Sequence, residues 1–199
     1  MSRNHTETTL DLATLPLSQG EWRLDPLHSA VVFSIRHLGL SKVRGRFDRF
    51  EASLNVGAAL SDVRVEATVD MASVDTNNDD RDAHLRSTDF FGVEAHPTMH
   101  FLSTEVTLSD DGYRIVGELT INGITRPIEM PVEFHGLQDF QGRELHAGFS
   151  AEGELHRSEF GIDFGILPLG GDRLALADVV KFELDIQFVA PSIAKQDAE

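Results

Sequence analysis

The chain contains no cysteine among its 199 residues, and this absence removes three kinds of chemistry at once. Disulfide bonds, thiol nucleophiles and thiolate metal ligands are all excluded. Aromatic residues with a polar group are also scarce, since there is one Trp and one Tyr against 13 Phe. Phenylalanine rings bury apolar surface without needing a hydrogen-bond partner. We therefore expect these rings to fill or line an apolar interior.

Basic residues are few, with 17 Lys and Arg against 33 Asp and Glu, so the formal net charge is −16. A field of this sign repels phosphate backbones and anionic bilayer surfaces at long range, and we expect no nucleic-acid partner. No stretch approaches the roughly 20 apolar residues that cross a bilayer. The sequence therefore predicts no stable membrane insertion.

The start of the chain lacks the continuous apolar core of a secretory signal, because charges and Pro16 interrupt its leucines. We therefore expect a cytoplasmic protein. Residues 1–19 and 191–199 lack strand or helix periodicity and are expected to be flexible tails. A single domain at residues 20–190 is expected between them, a usual size for one β-barrel.

Strict alternation of apolar and polar side chains is the main structural signal. Between residues 63 and 71 every odd position is apolar and every even position is polar. A period of two predicts a β-strand with one apolar face. Further strands are predicted at residues 30–35, 50–56, 98–108, 113–121, 128–134, 143–156 and 178–189. With little helix to cover such a sheet, closure into a barrel of about eight or nine strands is the economical solution.

Two local signals add detail to this all-β prediction. Residues 76–87 break the alternation and offer N-cap side chains at 77–79, which predicts one short helix. The Asn-Gly pair at 122–123 predicts a tight hairpin turn, because both central positions tolerate positive φ. Pro127 and Pro131 each remove a hydrogen-bond donor from the returning strand. Part of that strand should therefore lie at an edge or a bulge.

Nine histidines raise the question of a metal site. His96 and His100 have a spacing that suits a helix, but Pro97 between them indicates an extended segment. Three others fall in the polar phase of predicted strands, where they should face water: His135, His146 and His156. A metal site needs three or four converging ligands, so we expect none.

Catalytic motifs are equally absent from the sequence: it has no Gly-x-Ser-x-Gly elbow, no His-Glu-x-x-His and no glycine-rich phosphate loop. The charged stretch at residues 81–84 is interpreted as part of a helix tied to the barrel rim, in preference to a catalytic or ligand-binding role. Arg36 and His37 suit either a polar strand end or contact with the polar end of a ligand. We expect no enzyme and no cofactor.

Small residues recur on the inward phase of the predicted strands. Ala151 and Gly153 lie between larger residues, and Gly117 lies between Ile115 and Leu119. Such positions leave room for a ligand, or they let strands bend and fit the taper of a filled barrel. Composition does not separate a hollow barrel from a solid one, and both alternatives stay open.

A series of longer motifs resembles the YceI-like family of polyisoprenoid-binding proteins. The matching segments occur in the same order: residues 22–29 (WRLDPLHS), 33–47 (FSIRHLGLSKVRGRF), 75–76 (DT), 81–85 (RDAHL), 90–91 (FF), 97–98 (PT) with Phe101, 117–127 (GELTINGITRP) and 157–161 (RSEFG). The likeness extends over residues 20–190. It implies a lipocalin-like antiparallel barrel of about eight strands, with one or two short helices near its opening.

The resemblance also implies a function. A soluble carrier or sequestering protein would hold an isoprenoid lipid, such as a polyprenyl compound or an isoprenoid quinone, in an apolar tunnel. By phase or motif position, the predicted lining residues are Phe33, Ile35, Phe47, Phe101, Ile115, Met130, Phe149, Phe160 and Phe182. The candidates for contact with a polar head group are Arg36, His37, Arg81 and His84.

Two other functions remain as alternatives. The first is an enzyme acting on a hydrophobic substrate, with His37, His84 or Asp82 as acid or base. The second is a solid barrel that binds a partner on its outer face. A homodimer is also left open.

Overall fold

In the computed structural model, residues 15–110, 112–142, 144–168 and 174–191 are described. The strands are β1 (Gly20–Leu24), β2 (Ala30–His37), β3 (Ser41–Phe47), β4 (Phe50–Val56), β5 (Arg64–Asp70), β6 (Val74–Asp75), β7 (Thr98–Ser109), β8 (Gly112–Ile121), β9 (Ile124–Phe140), β10 (Glu144–His156) and β11 (Leu176–Val189). The helix α1 spans Asp79–Arg86, and short 3-10 helices span Leu60–Asp62, Met71–Ser73 and Arg157–Phe160. None of these helices is long and apolar enough to cross a membrane.

All strand pairs are antiparallel, and the sheet closes on itself. Three pairs of short strands act as the halves of longer strands interrupted by bends. β1 and β2 both pair with β11, β3 continues into β4 across residues 48–49, and β5 continues into β6 across residues 71–73. Counted in this way, eight strands in chain order form a closed up-and-down barrel. The predicted lipocalin-like barrel fold is confirmed.

The predicted helix and hairpin are also confirmed. The helix begins after Asn78, whose side chain accepts a hydrogen bond from the N–H of Arg81 at 2.9 Å. Asn122 and Gly123 both have positive φ, 51° and 73°, as their turn requires. Pro127 and Pro131 pair with β8 on one side, whereas pairing of β9 with β10 reaches only as far as Val132. The prolines therefore lie on an open edge, as expected.

The hairpin of β2 and β3 was only half predicted. Residues 41–47, where no strand was predicted, form a full strand paired with β2. Val43, Gly45 and Phe47 alternate there with Lys42, Arg44 and Arg46, so the apolar phase is present but short, and a glycine weakens it. The three 3-10 helices were likewise not predicted.

Phenylalanine rings cover several glycines on the inner wall. A Cβ atom at Gly153 would lie 2.5 Å from the Phe182 ring, and one at Gly117 would lie 2.5 Å from the Phe101 ring. A Cβ atom at Gly45 would likewise lie 2.4 Å from the Phe33 ring. Of the two alternatives left open for Gly117 and Gly153, room for a ligand does not hold, because aromatic rings already occupy the space beside them.

We predict that Gly117→Ala destabilises the barrel more than Gly153→Ala. At Gly117 the new Cβ would also lie 2.6 Å from the backbone oxygen of Leu102, which cannot move without distorting the sheet. The expected loss is about 1–3 kcal/mol for Gly117→Ala and less than about 1 kcal/mol for Gly153→Ala, where the Phe182 ring can turn into the cavity. Urea unfolding of both variants measures these losses. Equal losses would show that the sheet backbone yields as easily as the ring.

Candidate ligand-binding cavity

The inward faces of the strands surround a cavity of about 320 Å³. Thirty-six of its 40 lining residues are apolar, and they come from both halves of the chain. Alternation explains this composition, since the apolar phase of every long strand points to the same interior. For example, the run predicted between residues 63 and 71 contributes all five of its apolar members: Val63, Val65, Ala67, Val69 and Met71.

Four polar residues contribute to the wall, and three of them use their polar groups elsewhere. Arg114 forms an ion pair with Glu129, and the Ser150 hydroxyl bonds the His135 ring at 2.9 Å. The guanidinium of Arg157 donates to backbone carbonyls. The fourth residue is Tyr113, whose phenol is neutral at physiological pH, and burial raises its pKa further. Within the described residues, the wall therefore suits an apolar ligand.

Residues outside the strands also line the cavity. At the end that carries α1, the cover consists of Leu85, Phe90 and Phe91. Leu15 also lines the cavity, and Leu17 packs against the same apolar cluster as Trp22. The part of the predicted tail at residues 15–19 is thus packed on the barrel, with the Ser18 carbonyl accepting a hydrogen bond from the indole of Trp22 at 2.9 Å. Residues 1–14 lie outside the described residues.

Most of the predicted lining residues do line the cavity. These are Phe33, Ile35, Phe47, Phe101, Ile115, Met130, Phe149 and Phe182. Phe160 does not, although it is buried in the apolar cluster nearest α1 and only 2% exposed. The strand β10 ends at His156, and the chain continues as a 3-10 helix that contains Phe160. The alternating phase of the strand therefore no longer applies there. Whether the eight lining residues contact a ligand stays a prediction.

The four predicted head-group residues lie outside the cavity wall. Arg36 and His37 are exposed at the end of β2. Arg81 donates from Nε to the Thr76 hydroxyl and from Nη2 to the Thr76 carbonyl, both at 2.7 Å. His84 bonds Asp89 at 2.8 Å and packs edge-on against Phe90. The structure therefore gives Arg81 and His84 bonds within the segment around α1 instead of bonds to a cavity ligand.

Asp82, the third residue of the enzyme alternative, is buried and tied to the same segment. Its Oδ1 accepts hydrogen bonds from both the N–H and the hydroxyl of Thr76. The described residues show no bond that joins Asp82 to His84 or His37. The mutually bonded acid–base pair that the enzyme alternative needs inside the barrel is therefore not formed by these residues.

None of the four polar wall residues was predicted, and Arg157 is the buried one among them. Its side chain is only 3% exposed, and its three nitrogens donate to the carbonyls of Ala177, Ile162 and Leu176 at 2.8, 2.8 and 3.2 Å. Burial lowers the pKa of its guanidinium, although nearby carboxylates oppose the shift. The side chain joins the end of β10 to the beginning of β11. The motif at residues 157–161 was the available signal, but nothing in it indicated a buried cation.

We predict that Arg157→Lys destabilises the protein although it keeps the charge. A single ammonium cannot reach all three carbonyls, and each carbonyl left unpaired in the interior costs about 1–3 kcal/mol. The expected loss in free energy of unfolding is therefore at least about 2 kcal/mol by urea titration. Arg36→Lys is the matched control on the exposed end of β2 and should change little. A loss in Arg157→Lys no larger than in this control would contradict the assignment.

The histidines that were expected to face water divide into two groups. His135 and His156 are exposed, as predicted. His146 is only 15% exposed, and its Nδ1 bonds the Gln187 amide at 2.7 Å. The bend between β1 and β2 lies against this part of the outer face, since the N–H of Asp25 donates to the Gln187 carbonyl at 2.8 Å. No group of three or more ligating side chains within the described residues could hold a metal ion.

His156 belongs to a small hydrogen-bonded group beside Arg157. Its Nδ1 lies 2.8 Å from Asp178, which also accepts from the N–H and the hydroxyl of Ser158. Burial alone would raise the pKa of Asp178, but these hydrogen bonds outweigh it and lower the pKa below 3.8. The bond to Asp178 is the main cause that raises the pKa of His156 above 6.5.

We predict that this histidine makes stability fall as the pH rises through neutrality. A histidine whose pKa is raised on folding stabilises the folded state below its unfolded value of 6.5, and loses that effect as pH passes its folded pKa. His156→Gln should therefore show a smaller drop in melting temperature between pH 6 and pH 8. His135→Gln, which removes a ring bonded to a hydroxyl, is the control. Parallel pH profiles for wild type and His156→Gln would refute the coupling.

The fold and cavity have counterparts among known proteins. A family model of the YceI-like domain matches residues 22–188. A UPF0312 protein of Staphylococcus epidermidis is 37% identical over 172 residues, which are 84% of this chain and 96% of that protein. A UPF0312 protein of Pseudomonas aeruginosa is 38% identical over 142 residues, which are 71% and 74% of the two chains.

Solved structures agree. The YCEI protein of Campylobacter jejuni superposes with a TM-score of 0.67 at 26% identity, over 79% of this chain and 91% of that chain. A polyisoprenoid binding domain from Saccharophagus degradans has the same fold, with a TM-score of 0.62 at 15% identity over 85% and 98% of the two chains. The family model covers nearly the whole barrel, and the chain belongs to the YceI-like domain family.

Proposed function

We propose that this protein binds a lipid and holds its apolar chain in the barrel cavity. The observation that carries the proposal is the cavity itself, which is enclosed by apolar side chains and has a volume of about 320 Å³. This volume lies at the lower end of the range found for small-molecule sites, about 300–1,000 Å³. An apolar wall of this kind selects ligands by shape and by the area they bury.

The expected affinity comes from burial of hydrocarbon. Each CH₂ group removed from water contributes about 0.8 kcal/mol, so a few isoprene units bind without any charged partner. The Phe101 and Phe182 rings that lie over glycines border the same space.

The ligand that we propose is an isoprenoid lipid, either a polyprenyl compound or an isoprenoid quinone. Membership of the family supports this, as does the fold shared with the polyisoprenoid binding domain of Saccharophagus degradans. The role is carriage, storage or sequestration without catalysis. Because the polar groups of three wall residues are already bonded, a polar head group is accommodated better at an end of the cavity than beside its wall.

Native mass spectrometry of protein purified from its own host tests the proposal directly. We expect an adduct whose mass, after organic extraction, matches an isoprenoid lipid. Protein that carries no lipid and binds none when offered a polyprenyl alcohol or a quinone would overturn the proposal.

We predict that Ala151→Phe reduces lipid binding more than it reduces stability. Ala151 lines the cavity between Val132 and Leu184 on the neighbouring strands, so a ring at this position enters the cavity. In a filled core the same change would cost about 1–3 kcal/mol. Titration with a fluorescent polyprenyl probe should show at least a tenfold loss of affinity, with a nearly unchanged urea midpoint.

Ala58→Phe is the matched control, because Ala58 is exposed in the loop after β4 and the same ring volume is added outside the barrel. It should bind the probe like the wild type. A sharp loss of stability in Ala151→Phe with unchanged binding would instead indicate a solid core.

A further inference from the structure

One hairpin carries a charge opposite to that of the rest of the protein. The segment at residues 30–47, which we call the basic hairpin, consists of β2, β3 and their turn. It contains four basic residues and no Asp or Glu, in a chain with 33 acidic and 17 basic residues. The four are Arg36, Lys42, Arg44 and Arg46.

The cations share the outer face of the hairpin. Arg36 lies directly opposite Lys42, and Arg44 lies opposite Ser34. Arg46 is paired with Asp48 and Asp75, whereas the other three form no ion pair with any described residue. Like charges directly opposite each other across a strand pair are destabilising. Folding alone therefore gives no reason for placing Arg36 beside Lys42.

The tip of the basic hairpin is apolar and exposed. Leu38 and Leu40 are 39% and 74% exposed, and they lie between the exposed Arg36 and Lys42. Two backbone hydrogen bonds bring another exposed leucine to the tip. The N–H of Leu38 donates to the Ala175 carbonyl at 2.9 Å, and the N–H of Ala175 donates to the Leu167 carbonyl at 2.9 Å. Leu167 is 64% exposed, which extends the apolar surface beside the tip.

One side of the hairpin is a free strand edge at the end of the barrel that carries α1. Pairing of β3 with β6 stops at Arg46, so residues 41–45 leave an edge of about 16 Å unpaired, whereas β2 stays paired with β11 as far as His37. Ile35 on the hairpin and Leu176 beside His37 line the cavity. The exposed tip is therefore continuous with this end of the cavity wall. Charged residues, lysine above all, also protect free strand edges from aggregation, but that role does not require exposed leucines at the tip.

We propose that the basic hairpin docks this protein on the surface of an anionic membrane. Leu38 and Leu40 would enter the boundary between head groups and acyl chains, while Arg36, Lys42 and Arg44 would contact lipid phosphates. The net charge of −16 repels other faces of the molecule from such a surface. Screening limits this repulsion to about 8 Å at physiological ionic strength, so the local charge of the contacting face decides binding.

Docking in this orientation points the α1 end of the cavity at the bilayer. Lipid would then pass between the membrane and the cavity past Leu85, Phe90 and Phe91. The inference goes beyond the proposed function, because docking depends on the outer hairpin and not on the contents of the cavity.

Vesicle flotation with the full chain tests the docking. The vesicles contain equal parts of phosphatidylglycerol and phosphatidylcholine, or phosphatidylcholine alone, and no isoprenoid. We expect the wild type to float with the anionic vesicles only at physiological ionic strength, and to bind less as salt is raised above it. The test variant is Leu40→Gln with Arg44→Gln. Loss of one cation near an anionic surface costs about fivefold in binding, and loss of the leucine raises the expected effect to at least about tenfold.

The matched control is Leu27→Gln with Arg23→Gln. It also removes one exposed leucine and one exposed arginine and reaches the same net charge, but its residues lie outside the basic hairpin. It should bind within about twofold of the wild type. Equal losses in both double variants, or equal binding to both kinds of vesicle, would overturn the proposal. Absence of wild-type binding to anionic vesicles at physiological ionic strength would overturn it too, and would point to an acidic protein as the partner of the hairpin.

The cavity variant separates this inference from the proposed function. Ala151→Phe should dock on anionic vesicles like the wild type, because it leaves the basic hairpin unchanged. Normal docking by a protein that never binds lipid would overturn only the proposed function. Lipid binding without docking would overturn only the inference.

Discussion

The hydrogen bonds along one edge of β11 close the barrel, and the interior depends on this closure. Residues 176–185 of β11 pair with β2, and residues 188–189 pair with β1. Without these pairs the sheet would have two open edges and its apolar face would be exposed to water. With them, all the inward side chains converge on one axis. The cavity is thus a consequence of closure combined with alternation.

Three of the eight strands are bent, and two of the bends are bonded to each other. The bends at residues 48–49 and 71–73 lie side by side, with the N–H of Arg49 donating to the Ser73 hydroxyl at 3.0 Å and the N–H of Asp48 donating to the Ser73 carbonyl at 3.2 Å. Beyond them, β6 makes only a short pairing with β3 before the chain turns into α1. The end of the barrel is covered by the helix segment, and the rest of β3 is left as a free edge.

Alternation made most of the barrel predictable, because the side-chain direction in a strand follows from the position alone. Phe149 and Ile115 could be placed on the wall in this way. The predictions failed where contacts with distant parts of the sequence determine the position of a side chain. Phe160 follows a strand that has become a 3-10 helix, and Arg157 is buried by carbonyls about 20 residues further along the chain. His146 is covered by a bend more than 100 residues earlier in the sequence.

The head-group candidates show the same limit for the site. Arg36 and His37 were selected because they stand in a motif, and the structure leaves both exposed at the end of β2. A charged side chain brought to the apolar wall would lose its hydration without gaining a partner, which costs far more than one hydrogen bond returns. Charge is therefore kept out of the cavity unless it is fully bonded, as in Arg157. The interior therefore binds a ligand through the apolar area that the ligand buries. Any recognition that depends on charge must take place on the outside, where the basic hairpin lies.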